Sequence, residues 1–242
     1  MSEPLVILVH GAFADGSSWN GVIHELYLKQ IDAVAVANPL RSVTGDAAYL
    51  RDVITAVQRP VVLVGHSYGG LVISEAGSGN EAVQALVYVN AFVPERGQNA
   101  FDLSNEFPGG TLGETLIGYP LADGAPEFRI ANDRFPQQFA ADVPLQDAAL
   151  LARTQRPVTQ AALTEGLPSE PAWKQKPSWA VFGDADLNIP VAEHRAGAER
   201  AGVRAGREIA GASHAISISQ PAAVADMIAE AVGAVTARGP AV

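Results

Sequence analysis

Short, continuously apolar runs alternate with helix-spaced segments along most of this chain. Pro4–Val9, Ala33–Ala37, Pro60–Val64, Ala85–Val89 and Ser178–Phe182 are such runs, and a shorter one lies at 204–209. Runs without polar alternation suit strands covered on both faces. Segments 17–29, 46–57, 68–77, 191–201 and 221–236 carry apolar residues at helical spacing. In the first of them Trp19, Val22, Ile23, Leu26 and Tyr27 share one face. Strand and helix in repeated succession form a mainly parallel sheet with helices on both faces. About six strands are expected. Reactive groups in such a sheet lie in loops at the carboxyl ends of its strands. A catalytic motif in this chain must therefore follow a strand.

The alternation breaks between residues 92 and 172. That third of the chain holds nine of the sixteen prolines and six of the eight phenylalanines. It shows no strand pattern, and 145–165 has helical spacing. We expect an inserted, mostly helical cap over 92–172, with 1–91 and 173–242 as the core. A length of 242 residues suits one domain split by an insertion better than two in tandem.

Gly65-His66-Ser67-Tyr68-Gly69 lies between the third apolar run and a helix-spaced segment. That strand–turn–helix setting is what a Gly-x-Ser-x-Gly nucleophile needs. The serine must sit at a sharp, strained turn, and small flanking residues let strand and helix approach. The helix that follows points free amides and its positive dipole end at charge developing on the serine. Alone, the pattern also fits a plain Gly/Ser-rich turn. No Gly-Lys-Ser/Thr ending and no Gly-x-Gly-x-x-Gly spacing accompanies it, which disfavours nucleotide binding.

A serine nucleophile needs a base, and histidine titrates in the right range. His24 and His194 fall inside helical segments and read as surface or packing residues. His10 and His66 lie in tight strand-end motifs that they would orient. His214, in the loop after the 204–209 run, is the expected base. Its carboxylate partner should come from Gly183-Asp184-Ala185-Asp186. Asp186, deeper in that loop, is preferred to Asp184, which is placed to cap the turn.

His10-Gly11-Ala12-Phe13 follows the first run directly. An acyl-transfer oxyanion needs two preorganised donors, and the backbone amides of Ala12 and Tyr68 are assigned to it. Phe13 and Tyr68 adjoin these donors and are expected in the pocket. Phe92, Phe128 and Phe135 are the further substrate-binding candidates.

With these residues in place, the chain resembles the α/β-hydrolase superfamily, in which nucleophile, acid and base follow in this order. The stretch Leu8–Trp19, the serine motif, Gly183-x-x-Asp186-x-x-x-Pro190 and Ser213-His214 look like small bacterial carboxylesterases. These are similar to the plant methylesterase and hydroxynitrile lyase branch. The resemblance implies a helical cap over Ser67 and neither cofactor nor metal. The lyases of that branch carry a threonine and a lysine where this chain has Gly11 and Ala215, so cyanohydrin cleavage is not expected.

Composition narrows the partners. Acidic residues number 26 against 16 basic, for a net charge of −10. Neither a nucleic-acid backbone nor an anionic membrane surface would hold such a chain by charge. Residues 92–172 alone hold 11 acids and 5 bases, which disfavours polyanionic substrates. There is no cysteine, so thiol nucleophiles, disulfides and thiolate metal sites are excluded. Met1-Ser2-Glu3-Pro4 has no basic leader, and the apolar run after it is too short to span a membrane. A cytoplasmic location is expected, and a homodimer is left open. The expected substrate is a small, mainly apolar carboxylic ester. A lactonase, a cofactor-free perhydrolase or a slow-turnover ligand receptor would share the same residues.

Overall fold

The structure is a computed structural model describing residues 3–237. Met1 and Ser2, part of the segment expected to lack a leader, lie outside them. The chain opens on β1 (Leu5–Val9), α1 (Asn20–Leu28), β2 (Ala33–Val36), α2 (Val43–Val57), β3 (Val61–His66), α3 (Gly69–Ala76) and β4 (Val83–Val89). Between β4 and β8, in the segment expected as an insertion, come α4 (Ala100–Glu106), β5 (Leu116–Pro120), β6 (Pro126–Ile130), α5 (Phe135–Phe139), α6 (Leu145–Thr154), β7 (Val158–Thr159) and α7 (Gln160–Thr164). The core resumes with β8 (Ser178–Gly183), α8 (Val191–Arg200), β9 (Gly206–Ile209), α9 (Ile216–Ser219) and α10 (Pro221–Thr236).

Six strands form one sheet in the order β2-β1-β3-β4-β8-β9. Every neighbouring pair is parallel. The side-chain period of two divides each central strand between two cores. Leu5, Ile7 and Val9 of β1, Leu63 of β3 and Phe182 of β8 enter one core, under Leu50 and Ile54 of α2 and Leu71 of α3. Val6, Leu8, Val62, Val64 and Val181 enter the other, under Leu26 of α1 and Val224 and Ile228 of α10. Burying one such side chain contributes about 1.5–3 kcal/mol, so both faces of the sheet select for apolar residues. Helix starts follow local chemistry. Ser42 accepts the Gly45 amide at 3.0 Å to open α2, and Pro221 opens α10. Among the described residues no helix is long and apolar enough to cross a membrane.

Regular structure in the segment between β4 and β8 is mostly helical, as expected, but the segment also holds strands where no strand pattern was read. β5, β6 and β7 form a three-stranded antiparallel sheet. Asp123-Gly124 turns β5 into β6, with Gly124 at φ +83°, a hairpin signal. Its strands are short, contain Gly118, Pro120 and Pro126, and are half exposed, so no period of two stands out. The helix expected over 145–165 is interrupted as well. Pro157 disfavours helix at the residue before it, and α6 stops at Thr154. The Gln155 side chain then pairs with the free edge of Ile130, accepting its N–H at 2.8 Å and donating to its carbonyl at 2.9 Å.

Candidate active site

Ser67 and Tyr68 form the turn between β3 and α3. Ser67 has φ +55°, a left-handed conformation that costs a side-chain-bearing residue about 1–2 kcal/mol. Its neighbours hold it there. The Ser67 amide donates to Asn90 O at 3.1 Å, and Ser67 O accepts from Gly70 at 2.9 Å and Phe92 at 3.3 Å. The approach is close on two sides. A Cβ on Gly70 would fall 2.1 Å from Phe92 O, and one on Gly11 would fall 2.5 Å from Ser67 Cβ. Side chains at those positions would push the serine out of place.

His214 Nδ1 lies 2.8 Å from Asp186 Oδ2. The other carboxylate oxygen accepts the amides of Asn188 at 2.8 Å and Ile189 at 3.0 Å. His194, expected at the surface or in packing, is instead buried with Nε2 2.9 Å from the same Oδ2. Pro190 starts α8 immediately after the loop, so its first turn folds back over Asp186. Phe182 stacks on the His194 ring at 5.3 Å. Burial alone would raise the Asp186 pKa. The facing His214 and the His194 and His214 hydrogen bonds outweigh it and hold the carboxylate well below its usual range. Asp184 accepts the Gly211 amide at 2.6 Å and ties the two loops. Ser67 Oγ and His214 Nε2 are not hydrogen-bonded to each other; serine–histidine contacts of this kind are often long in the absence of substrate.

The other histidines orient turns. His66 Nε2 donates to His214 O at 2.9 Å. Burial, reinforced by the adjacent His214, pushes the His66 pKa down to about 3, so it stays neutral beside His214. Asn90 supports the same loop: Nδ2 donates to Ser213 O at 2.8 Å, and Oδ1 accepts the Gly183 amide at 2.7 Å. His10 Nε2 accepts the Asn38 amide at 3.0 Å, so Nδ1 carries the proton and donates to Gly11 O at 2.9 Å. Sequence reasoning assigned Asn90 and Asn38 no role.

Among the described residues neither the Ala12 nor the Tyr68 amide donates to a protein acceptor, whereas the Phe13 amide, at φ +61°, donates to Arg156 O at 3.0 Å. The two free amides belong to the turns that meet at Ser67. A cleft of about 730 Å³, measured out to its mouth, opens there between the strand ends and the insertion. Ser67, Ala12, Phe13, Phe92, Phe101, Leu112 and Ile189 are among its walls, and among the described residues no charged side chain lines it.

Three pocket expectations are corrected. Phe128 packs over Gly118 within the hairpin and does not line the cleft, because the hairpin pairs those residues directly. Phe135 is buried against Phe139 at 4.8 Å, and Phe139 meets the His214 ring edge-on at 4.9 Å. Phe135 therefore braces the His214 ring from behind, through Phe139. The Tyr68 side chain turns away and donates to Asp46 at 2.9 Å; only its amide remains for the site. Among the described residues no cluster of three or more His, Asp or Glu side chains is arranged to hold a metal ion.

A parallel sheet, a strained serine between β3 and α3, and paired Asp186 and His214 in loops after later strands define an α/β-hydrolase fold. A model of the alpha/beta hydrolase family matches residues 6–227, and the chain belongs to that family. It is 30% identical over 118 residues to an alpha/beta hydrolase of Aspergillus novofumigatus, covering 41% of this chain and 47% of that protein. It is 32% identical over 113 residues to a carbendazim hydrolyzing esterase of Nocardioides sp., covering 40% and 46%. The chain thus spans about half the length of these curated relatives. Among solved structures it resembles polyneuridine aldehyde esterase, with a TM-score of 0.80 at 18% identity over 95% of this chain and 99% of the other. A pyrethroid hydrolase from Sphingobium faniae gives 0.76 at 19% identity over 98% and 100%. These likenesses to solved structures show the fold.

Proposed function

We propose that the protein hydrolyses small, neutral, mainly apolar carboxylic esters through an acyl-enzyme on Ser67. Ser67 Oγ attacks the ester carbonyl carbon as His214 Nε2 takes its proton. Asp186 holds the His214 tautomer and offsets the imidazolium charge. The oxyanion accepts the amides of Ala12 and Tyr68, which need no reorganisation to meet it. Collapse of the tetrahedral intermediate expels the alcohol, protonated by His214. Water, deprotonated by the same nitrogen, then attacks the acyl carbon and releases the acid.

The observation that carries this reading is the pair of unspent amides beside a strained serine, in a cleft with no charged lining. The absence of charge favours a neutral substrate. The decisive experiment measures hydrolysis of 4-nitrophenyl alkanoates by wild type and Ser67→Ala, with intact-mass detection of the acyl adduct. The alanine variant should fold normally and lose at least about 10⁴-fold in kcat/KM. Wild-type turnover by that variant would end the proposal.

A further inference from the structure

Four polar side chains line the cleft: Ser67, Ser104, Asn105 and Asn188. Three have their donors committed. In the proposed chemistry the Ser67 proton goes to His214. Ser104 donates to Phe101 O at 2.8 Å. Asn105 Nδ2 donates to Phe101 O at 2.7 Å and to Ser104 Oγ at 3.2 Å.

Asn188 is different, and its orientation is determined by its neighbours. Leu187 O can only accept, so the Gln138 atom 2.9 Å from it is Nε2. The same Nε2 lies 2.9 Å from the Asn188 side chain, whose atom there must accept and is therefore Oδ1. Thr111 Oγ1 donates to Gln138 Oε1 at 2.9 Å and completes the arrangement. The Asn188 backbone is held independently, by its amide on Asp186 Oδ1 at 2.8 Å. Only 3% of Asn188 is exposed. Its Nδ2 is left with two hydrogens and no protein partner among the described residues, on a residue that forms part of the wall of the cleft. A preorganised, nearly buried donor in an apolar cleft rewards an acceptor placed on it and penalises a ligand that leaves it empty.

We infer that Asn188 is a specificity-determining donor, and that the substrates of this site are esters carrying a second hydrogen-bond acceptor (a ketone, ether or carbamate oxygen) remote from the scissile carbonyl. This rests on the ester-hydrolase reading above and narrows it. Asn188 recognises the substrate without taking part in proton transfer. Its anchor is shared with the acid: the loop that presents Nδ2 also supplies two amides to Asp186, so recognition and catalysis rest on one rigid turn.

The test compares isosteric ester pairs by pH-stat: phenyl hexanoate with its 4-oxo and 5-oxo analogues, and n-butyl with 2-methoxyethyl hexanoate. For each protein the kcat/KM ratio of the acceptor-bearing to the hydrocarbon ester is taken. Dividing the wild-type ratio by the variant ratio cancels intrinsic reactivity. At least one pair should show a wild-type ratio roughly five- to tenfold above that of Asn188→Leu. Asn188→Asp keeps an acceptor for Gln138 while replacing the free donor by an acceptor, so it carries the test if the leucine variant is unstable; its ratio should also fall. Ratios equal within about twofold across wild type and variants would overturn the inference. Failure of wild type to hydrolyse any ester would instead sink the parent reading. Calorimetric titration of Ser67→Ala with the same pairs then decides the inference alone: acceptor-bearing esters bind more tightly only where Asn188 is present, and equal binding refutes it.

Discussion

His194 and His214 bind the same oxygen of one carboxylate, Asp186 Oδ2, at 2.9 and 2.8 Å. With the amides of Asn188 and Ile189 on Oδ1, all four acceptor positions of the carboxylate are used. Three of those four donors, His194 and the Asn188 and Ile189 amides, lie outside the Ser67, His214 and Asp186 set.

His194 should therefore act on the reaction through Asp186. Replacement by leucine removes a donor from a buried carboxylate and should cost about 1–3 kcal/mol of stability. It should also concentrate charge on the oxygen facing His214, moving the acid limb of the kcat/KM profile to higher pH. His194→Gln, which can still donate, should restore both. Urea unfolding and pH–rate profiles of the two variants check this, and a stability change without a moving limb would leave His194 a purely structural residue.

Gly11→Ala should damage catalysis more than folding. The new methyl would lie 2.5 Å from Ser67 Cβ and 2.8 Å from His66 O, so the turn bearing the Ala12 amide must back away. Misplacing one oxyanion donor costs about 10²–10³-fold in kcat. Steady-state kinetics beside a thermal melt separate that loss from unfolding.

Asn90→Ala should be among the more destabilising single changes at the site. It strips partners from the Gly183 amide and Ser213 O and places alanine at φ +40°. Orphaned buried groups cost about 1–3 kcal/mol each. Denaturant midpoints should shift accordingly, with activity falling as the His214 loop loses its anchor.

Glu193 sets a pH dependence of stability. It is buried near Arg200 and Glu106, and its pKa is pushed up to about 7, chiefly by burial, with Arg200 opposing and Glu106 adding. The folded state holds this proton more tightly than the unfolded chain. The protonated form thus contributes stability in full below the ordinary glutamate range, and that contribution is lost as pH rises through about 7. Glu193→Gln should be more stable than wild type at pH 8 by roughly 1–3 kcal/mol, with the gap closing toward pH 5. Urea titrations across that range would show it; a gap independent of pH would disprove the linkage.

Much of the site is legible from local patterns. Ser67 stands out because a sharp turn between a buried strand and a helix admits few residue combinations. Asp186 and His214 stand out because each lies in a loop after a strand, and their pairing is present in the structure. His194 is not legible. Helical spacing identifies α8, but only the shape of the preceding loop tells which side of its first turn meets a carboxylate. The hairpin of the insertion did leave a signal in Asp123-Gly124, obscured by short strands that carry glycine and proline. Nothing local distinguishes Asn188, whose free donor exists only because Gln138, distant in sequence, occupies its other end.

The sequence by itself determined the parallel sheet, the strained serine turn and the chain order of Ser67, Asp186 and His214. Periodicity and turn sterics act between near neighbours and can be read from them. The tertiary structure alone decided which aromatic residues face the cleft, which histidine shares the acid, and which polar atom is left free to meet a substrate. Those outcomes depend on segments far apart in the chain competing for the same space and the same hydrogen bonds. Phe135 lies behind His214 because Phe139 stacks on it, and Tyr68 gives up the pocket because Asp46 takes its hydroxyl.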